Sequence, residues 1–168
     1  MENLKNFKNN IYSQNGEDGI IKEVLNRTQK FNDNQYCEFG AWDGIHLSNT
    51  YALIKDKKCK ALLLEPDKKK FLELCKNIPD PNIIKVNTFV EIKGVNSIDN
   101  LLEANNFNID FDFFSIDIDS IDYHIFKSLN KYKPKLICIE FNPTIPNEVE
   151  FVQQKIHTNR GSSSLSLI

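Results

Sequence analysis

The stretch Gln35-Tyr-Cys-Glu-Phe-Gly-Ala-Trp-Asp-Gly44 decides how the rest of the chain is read. Gln35 to Phe39 reads as a short strand closed by Gly40, and the turn after it sets Trp42 and Asp43 between two glycines. Upstream, Ile20, Ile21, Val24, Leu25 and Thr28 form the stripe of an amphipathic helix over 17–29. Asn15-Gly16 breaks the chain before it, and Glu17 and Asp18 suit its positive end. Downstream, Ser48 to Lys55 reads as helix, Lys60 to Leu64 as the continuous apolar run of a buried parallel strand, and Asp67 to Asn77 as a helix stopped by Pro79. A strand at Ile83 to Val86 follows, then a helix capped by Ser97 and running through Asn105. A strand over Phe111 to Ile118, a helix over Ile121 to Tyr132 and a strand over Lys135 to Phe141 complete the pattern. Five strands alternating with helices predict an α/β, Rossmann-like, doubly wound sheet, mostly parallel, with helices on both faces. Ligands of such sheets bind at the carboxyl ends of the strands.

Composition narrows the function. The 168 residues and 19.5 kDa suit one domain, 40% of the residues are apolar, and the net charge is −2. Twenty-one basic against 23 acidic side chains leave no positive surplus for a phosphate backbone, so nucleic acid is not the expected partner. No apolar run approaches the ~20 residues of a membrane helix, and no apolar core follows the N-terminus as in a signal peptide, so a cytoplasmic protein without membrane partners is expected. Cys37, Cys59, Cys75 and Cys138 show no metal-binding spacing and are expected as reduced, structural thiols.

The strand ends carry the chemistry. Glu65 closes the second strand 21 residues after Gly44, the spacing at which a dinucleotide fold places an acid on ribose hydroxyls. Trp42, however, stands where a second glycine would let the backbone approach a pyrophosphate, and Glu38 and Asp43 add negative charge there. A phosphate-free, cationic nucleoside such as S-adenosylmethionine fits those constraints.

Tyr36-Cys-Glu-Phe-Gly-Ala-Trp-Asp-Gly44, Glu65-Pro66-Asp67 and the segment Phe113 to Tyr123 together resemble the class I S-adenosylmethionine-dependent methyltransferases, nearest to the FkbM-like group. The resemblance runs from about Ser13 to Asn142 and delimits a methyltransferase domain over 13–142, between an N-terminal extension over 1–12 and a C-terminal segment over 143–168. It implies that Glu38, Gly40 and Gly44 wrap the methionine part, that Glu65 holds both ribose hydroxyls, that residues near Asn87 and Thr88 meet the adenine, and that Ala41, Asp43 and Pro66 belong to the same cofactor site. It also implies a small-molecule or glycan acceptor methylated on oxygen.

By the two-residue period of a strand, Asp117 and Asp119 are expected to point one way, and Glu140 and Asn142 likewise on the neighbouring strand. Such an oxygen-only set suits Mg2+, Mn2+ or Ca2+. Metal-dependent methyltransferases of the catechol O-methyltransferase type have an acid after the fourth strand and an acid-amide pair after the fifth, which these residues resemble, although Phe141 separates Glu140 from Asn142. Asp117 and Asp119 are thus candidates both for catalysis and for a metal, with His124 beside them as a candidate base. A local alternative stays open, in which Asp119 caps a helix beginning at Ser120 and Asp122 sits in its first turn. His46 follows the glycine turn, His157 lies in the tail, Trp42 and Tyr123 suit pocket walls, and Lys68-Lys69-Lys70 reads as a solvated helix face.

Relatives of this kind add two strands after the fifth. Gly161 to Leu165 reads as the start of a helix leading toward them, so these strands are expected to be missing and the fifth strand to offer an open edge to another copy. Two other readings are a nucleoside-binding module without turnover and a nucleotide-sugar transferase using Asp117-Ile-Asp119 as a metal clamp.

Overall fold

The computed structural model describes residues 2–28, 33–55, 58–119, 121–154 and 161–168. His157, Ser120 and position 29, where the first helix was expected to end, lie outside them. Among the described residues the elements are α1 (Glu17–Thr28), β1 (Gln35–Phe39), α2 (Tyr51–Ile54), β2 (Lys60–Leu64), α3 (Lys68–Asn77), β3 (Ile83–Val86), α4 (Ile98–Ala104), β4 (Phe113–Ile116), α5 (Asp122–Ser128) and β5 (Leu136–Ile139), with 3-10 turns at Leu4–Phe7 and Leu165–Leu167.

The five strands form one parallel sheet in the order β3-β2-β1-β4-β5. Side-chain alternation splits the core in two. Cys37, Phe39, Leu62, Leu64, Phe114 and Ile116 face α4 and α5, where Ile98, Leu102 and Ile125 are fully buried. Tyr36, Ala61, Leu63, Ile83 and Phe113 face α1, α2 and α3, meeting Ile21, Leu53, Ile54 and Leu74. The doubly wound α/β fold is therefore as expected. The order reverses at β1, with β2 on one side and β4 on the other, which opens a crevice at the carboxyl ends of β1 and β4.

Several elements are shorter than periodicity predicts, each for a local reason. The expected helix over 48–55 begins only at Tyr51, because Ser48 Oγ donates to Glu38 Oε2 and Asn49 N donates to Glu38 Oε1. The expected strand over 111–118 ends at Ile116, since Ile118 N turns to Asp122 Oδ1. The expected helix over 121–132 stops at Ser128, where Asp99 Oδ2 captures the N–H groups of Asn130 and Lys131. The strand expected over 135–141 ends at Ile139, and Asn142 N then bonds Ser163 O of the C-terminal segment. That segment begins no helix at Gly161: Ser163 bridges Val152 antiparallel, and Ser162, Ser163 and Ser164 are buried. Nor do residues 2–12 hang free. A Cβ on Gly19 of α1 would collide with the Phe7 carbonyl, so the N-terminal segment lies directly on that helix.

Candidate functional site

A cavity of about 560 Å³ opens at the carboxyl edge of the sheet. Strand order gives it two halves. On the β2–β3 side its walls include Leu64, Glu65, Pro66, Lys70, Thr88 and Phe89; on the β4–β5 side they include Asp117, Ile118, Asp119, Ile121 and Glu140. The turn after β1 contributes Gly40, Trp42, His46 and Leu47 between them, and Gln14 enters from the N-terminal loop.

Glu65 is 4% exposed yet lines the cavity. Its Oε2 accepts from Trp42 N at 2.9 Å and its Oε1 from Asp67 N at 2.8 Å. Each oxygen keeps a second lone pair, so the carboxylate is aimed without being saturated. Asn87 does not face the cavity as a base contact; its Nδ2 donates to the carbonyls of Glu65 and Pro66, tying the ends of β2 and β3 together. Thr88 and Pro66 do line the cavity.

The residues expected around the ligand after β1 separate into two groups. Gly40 and Trp42 reach the cavity. Gly40 sits at φ +76°, and a Cβ there would collide with the carbonyl oxygen of Asp117, so the approach of β1 to the end of β4 requires glycine. The others face elsewhere. Ala41 is buried in the core on the α1–α3 face, Asp43 Oδ1 caps the N–H groups of Ile45 and His46, and Gly44 packs against Leu74 of α3 and Ile78 just after it. Glu38 is 3% exposed and bonded to Ser48 and Asn49, so it holds the 45–50 loop and does not line the cavity. Burial pushes its carboxyl up to about 7 against the pull of those hydrogen bonds.

At the other half, one carboxylate oxygen from each of Asp117, Asp119 and Glu140 lies within 4.8 Å of the others. They converge for a reason other than strand alternation: β4 has already ended, and Asp119 turns through φ +59°. Burial, reinforced by Asp122 and Asp119, raises Asp117 to about 6. Burial together with Asp117, Asp122 and Asp119 raises Glu140 to about 8, and its Oε2 is buried without a hydrogen-bond partner. Asn142 is not turned to this group; its Oδ1 accepts from Thr144 N and Oγ1. The capping alternative for Asp119 also fails, because α5 begins at Asp122 with Ile121 at its N-cap and no side-chain cap. Asp122 is fully buried and holds Ile118 N. His124 is outside the cavity wall, with Nε2 2.6 Å from the Gln153 carbonyl oxygen, and Tyr123 N bonds Ser162 Oγ.

Sequence reading missed Gln14 and Lys70. Lys70, taken for solvated, stands 3.9 Å over the Trp42 ring, where a cation meets the negative face of the indole. Its helical position three residues after the Asp67 cap was the available signal. Phe89 is 73% exposed at the cavity rim. Burial pushes the thiols of Cys37 and Cys138 up, in keeping with structural cysteines. No described helix is long and apolar enough to cross a membrane.

No family model matches the sequence, and neither does any curated protein. Among solved structures, a chain of a fibrillarin/Nop5p complex is 16% identical with a TM-score of 0.44, over 69% of this chain and 56% of that one. Precorrin-6y C5,15-methyltransferase from Geobacter metallireducens GS-15 is 14% identical with a TM-score of 0.47, over 79% of this chain and 65% of that one. This chain thus spans less than two thirds of either structure.

Proposed function

We propose that this domain binds S-adenosylmethionine and methylates a hydroxyl of a sugar or other small hydroxylated metabolite, as its resemblance to the FkbM-like methyltransferases implies. Glu65 carries the reading. A buried carboxylate with both oxygens oriented by backbone N–H groups, at the end of β2 and inside the cavity, suits a vicinal diol. The remaining walls agree with a nucleoside that has no phosphate. Trp42 occupies the place of a phosphate-loop glycine, and Asp117, Asp119 and Glu140, with no cation between them, repel a diphosphate and attract a sulfonium or ammonium.

When bound, S-adenosylmethionine supplies a methyl group on a cationic sulfur. The chain's part is to position the acceptor in line and to take its proton. Glu140, with a pKa near 8 and an unpartnered Oε2, is suited to that proton, and Asp117 to holding the acceptor hydroxyl. A divalent cation such as Mg2+ fits between Asp117, Asp119 and Glu140, where it would lower the pKa of a coordinated hydroxyl; Asn142 has no place in that set. The closeness of Asp117 and Asp119 also favours the second reading, a metal-dependent nucleotide-sugar transferase.

Calorimetric titration with S-adenosylhomocysteine, with and without Mg2+, tests the proposal. Micromolar binding that Glu65→Ala abolishes is expected. Binding of a nucleoside-diphosphate sugar in place of S-adenosylhomocysteine would overturn the methyltransferase reading.

A further inference from the structure

The loop ahead of α1 supplies one wall of the cavity, and its role builds on the methyl-donor reading. Asp18, 5% exposed in the first turn of α1, accepts the backbone N–H groups of Ile11, Tyr12 and Ser13 on one oxygen, each at 2.8 Å. Asn10 adds a second clasp: its Oδ1 accepts from Gly16 N and Ser13 Oγ, and its Nδ2 donates to Gln14 O at 2.8 Å. Gly16 sits at φ +101° with Lys8 packed where a Cβ would be, and Tyr12 meets Tyr51 of α2 edge-on. So many internal hydrogen bonds preset the loop's shape, and it needs no ligand to order it. Gln14 is the residue of this loop that lines the cavity, and its side-chain amide has no hydrogen-bond partner among the described residues.

Packing locates that loop. Ile21 and Leu25 of α1 share a core cluster with Leu136 and Cys138 of β5, and Gln14, just ahead of α1, lines the same cavity as Asp117, Asp119 and Glu140, so the loop meets the cavity from its β4–β5 side. The charged groups of that half are carboxylates. An amino-acid tail brings an ammonium, which these acids attract, and a carboxylate, which they repel. The repelled end needs a hydrogen-bond donor. Lys70 and Thr88 stand on the β2–β3 half, and Trp42 and His46 belong to the β1 turn, which leaves Gln14 as the side-chain donor over the acids. We infer that Gln14 binds the α-carboxylate of the methyl donor's amino-acid tail through Nε2, with Asp18 positioning the loop that presents it.

Titrating S-adenosylhomocysteine, which has the tail, and 5′-methylthioadenosine, which lacks it, against the wild type, Gln14→Ala and Gln14→Glu tests this. Loss of a hydrogen bond to a charged group predicts about a ten-fold weaker affinity of Gln14→Ala for S-adenosylhomocysteine and a larger loss for Gln14→Glu. Both variants should hold 5′-methylthioadenosine as the wild type does and melt at its temperature. Unchanged S-adenosylhomocysteine binding in Gln14→Ala, or equal weakening for both ligands, overturns the assignment alone. A wild-type chain that binds neither ligand removes the methyl-donor reading and this assignment with it.

Discussion

Gly40 and Glu65 shape the cavity, and each makes a prediction at the scale of single atoms. Gly40 combines a left-handed backbone with a contact that leaves no room for a Cβ beside the Asp117 carbonyl. Gly40→Ala should therefore cost on the order of 3 kcal/mol of unfolding free energy in urea, from strain and from the displaced end of β4 together. Glu65 differs, because its role depends on charge. Gln at position 65 keeps the shape but cannot accept from both Trp42 N and Asp67 N and still offer two acceptors to a diol. Glu65→Gln should weaken S-adenosylhomocysteine binding roughly 100-fold in calorimetry, with only a small change in melting temperature. The acid itself was legible from its spacing to Gly44. The backbone N–H groups that aim it were not, because they come from a neighbouring turn.

At the scale of elements, Asp33, Asp112 and Lys135 at the opposite edge of the sheet stand outside the cavity wall and should report on stability. Lys135, just before β5, donates to Asp33 Oδ2 at 2.5 Å and to Asp112 Oδ1 at 2.8 Å, while Asp112 Oδ2 accepts from Asn34 N. Asp112 is 1% exposed, so a neutral residue in place of Lys135 leaves a buried carboxylate short of a partner. Lys135→Met should destabilise by about 2 kcal/mol in chemical denaturation, and Lys135→Met with Asp112→Asn should recover part of that loss. Elements were easy to place in the sequence where a helix or strand buries a whole stripe, as in α1, β2 and α3. They were overextended wherever a distant side chain captures backbone N–H groups. Glu38 shortens the helix at α2 and Asp99 shortens α5, and neither capture leaves a local signal.

At the scale of the whole molecule, Glu38 near 7, Asp117 near 6 and Glu140 near 8 are held above the ordinary carboxyl range, chiefly through burial. Unfolded, these groups titrate at 4.5, 3.8 and 4.5, so between about pH 4 and 8 the native state binds more protons than the unfolded one. Stability from these groups is full below that window and falls as pH rises through it. Thermal melts should show a descending profile from pH 5 to 8.5. Glu140→Gln should flatten the profile and raise stability at pH 8 by on the order of 1 kcal/mol, a modest figure because solvent screens a half-exposed group. A profile unchanged by Glu140→Gln would mean that the acids do not share the field described. Mg2+ at millimolar concentration should raise the melting temperature more at pH 8 than at pH 5, as expected if the ionised acids hold it.

Taken over the chain, the sequence by itself determined the doubly wound architecture, because alternating apolar strands and amphipathic helices admit few other burials. It also located the strand ends that carry acids, since the glycine turn with Asp43, Glu65, the pair Asp117 and Asp119, and Glu140 are local features. Only the tertiary structure decided which of those residues face the cavity. Glu38, Ala41, Asp43 and Asn142 turn to loop, core or cap, whereas Gln14 and Lys70 enter from the loop ahead of α1 and from the first turn of α3, away from the strand ends. The physical reason is that a side chain's direction at the end of a strand follows from the hydrogen bonds of the turn it enters. Those bonds are made with residues far away in the chain.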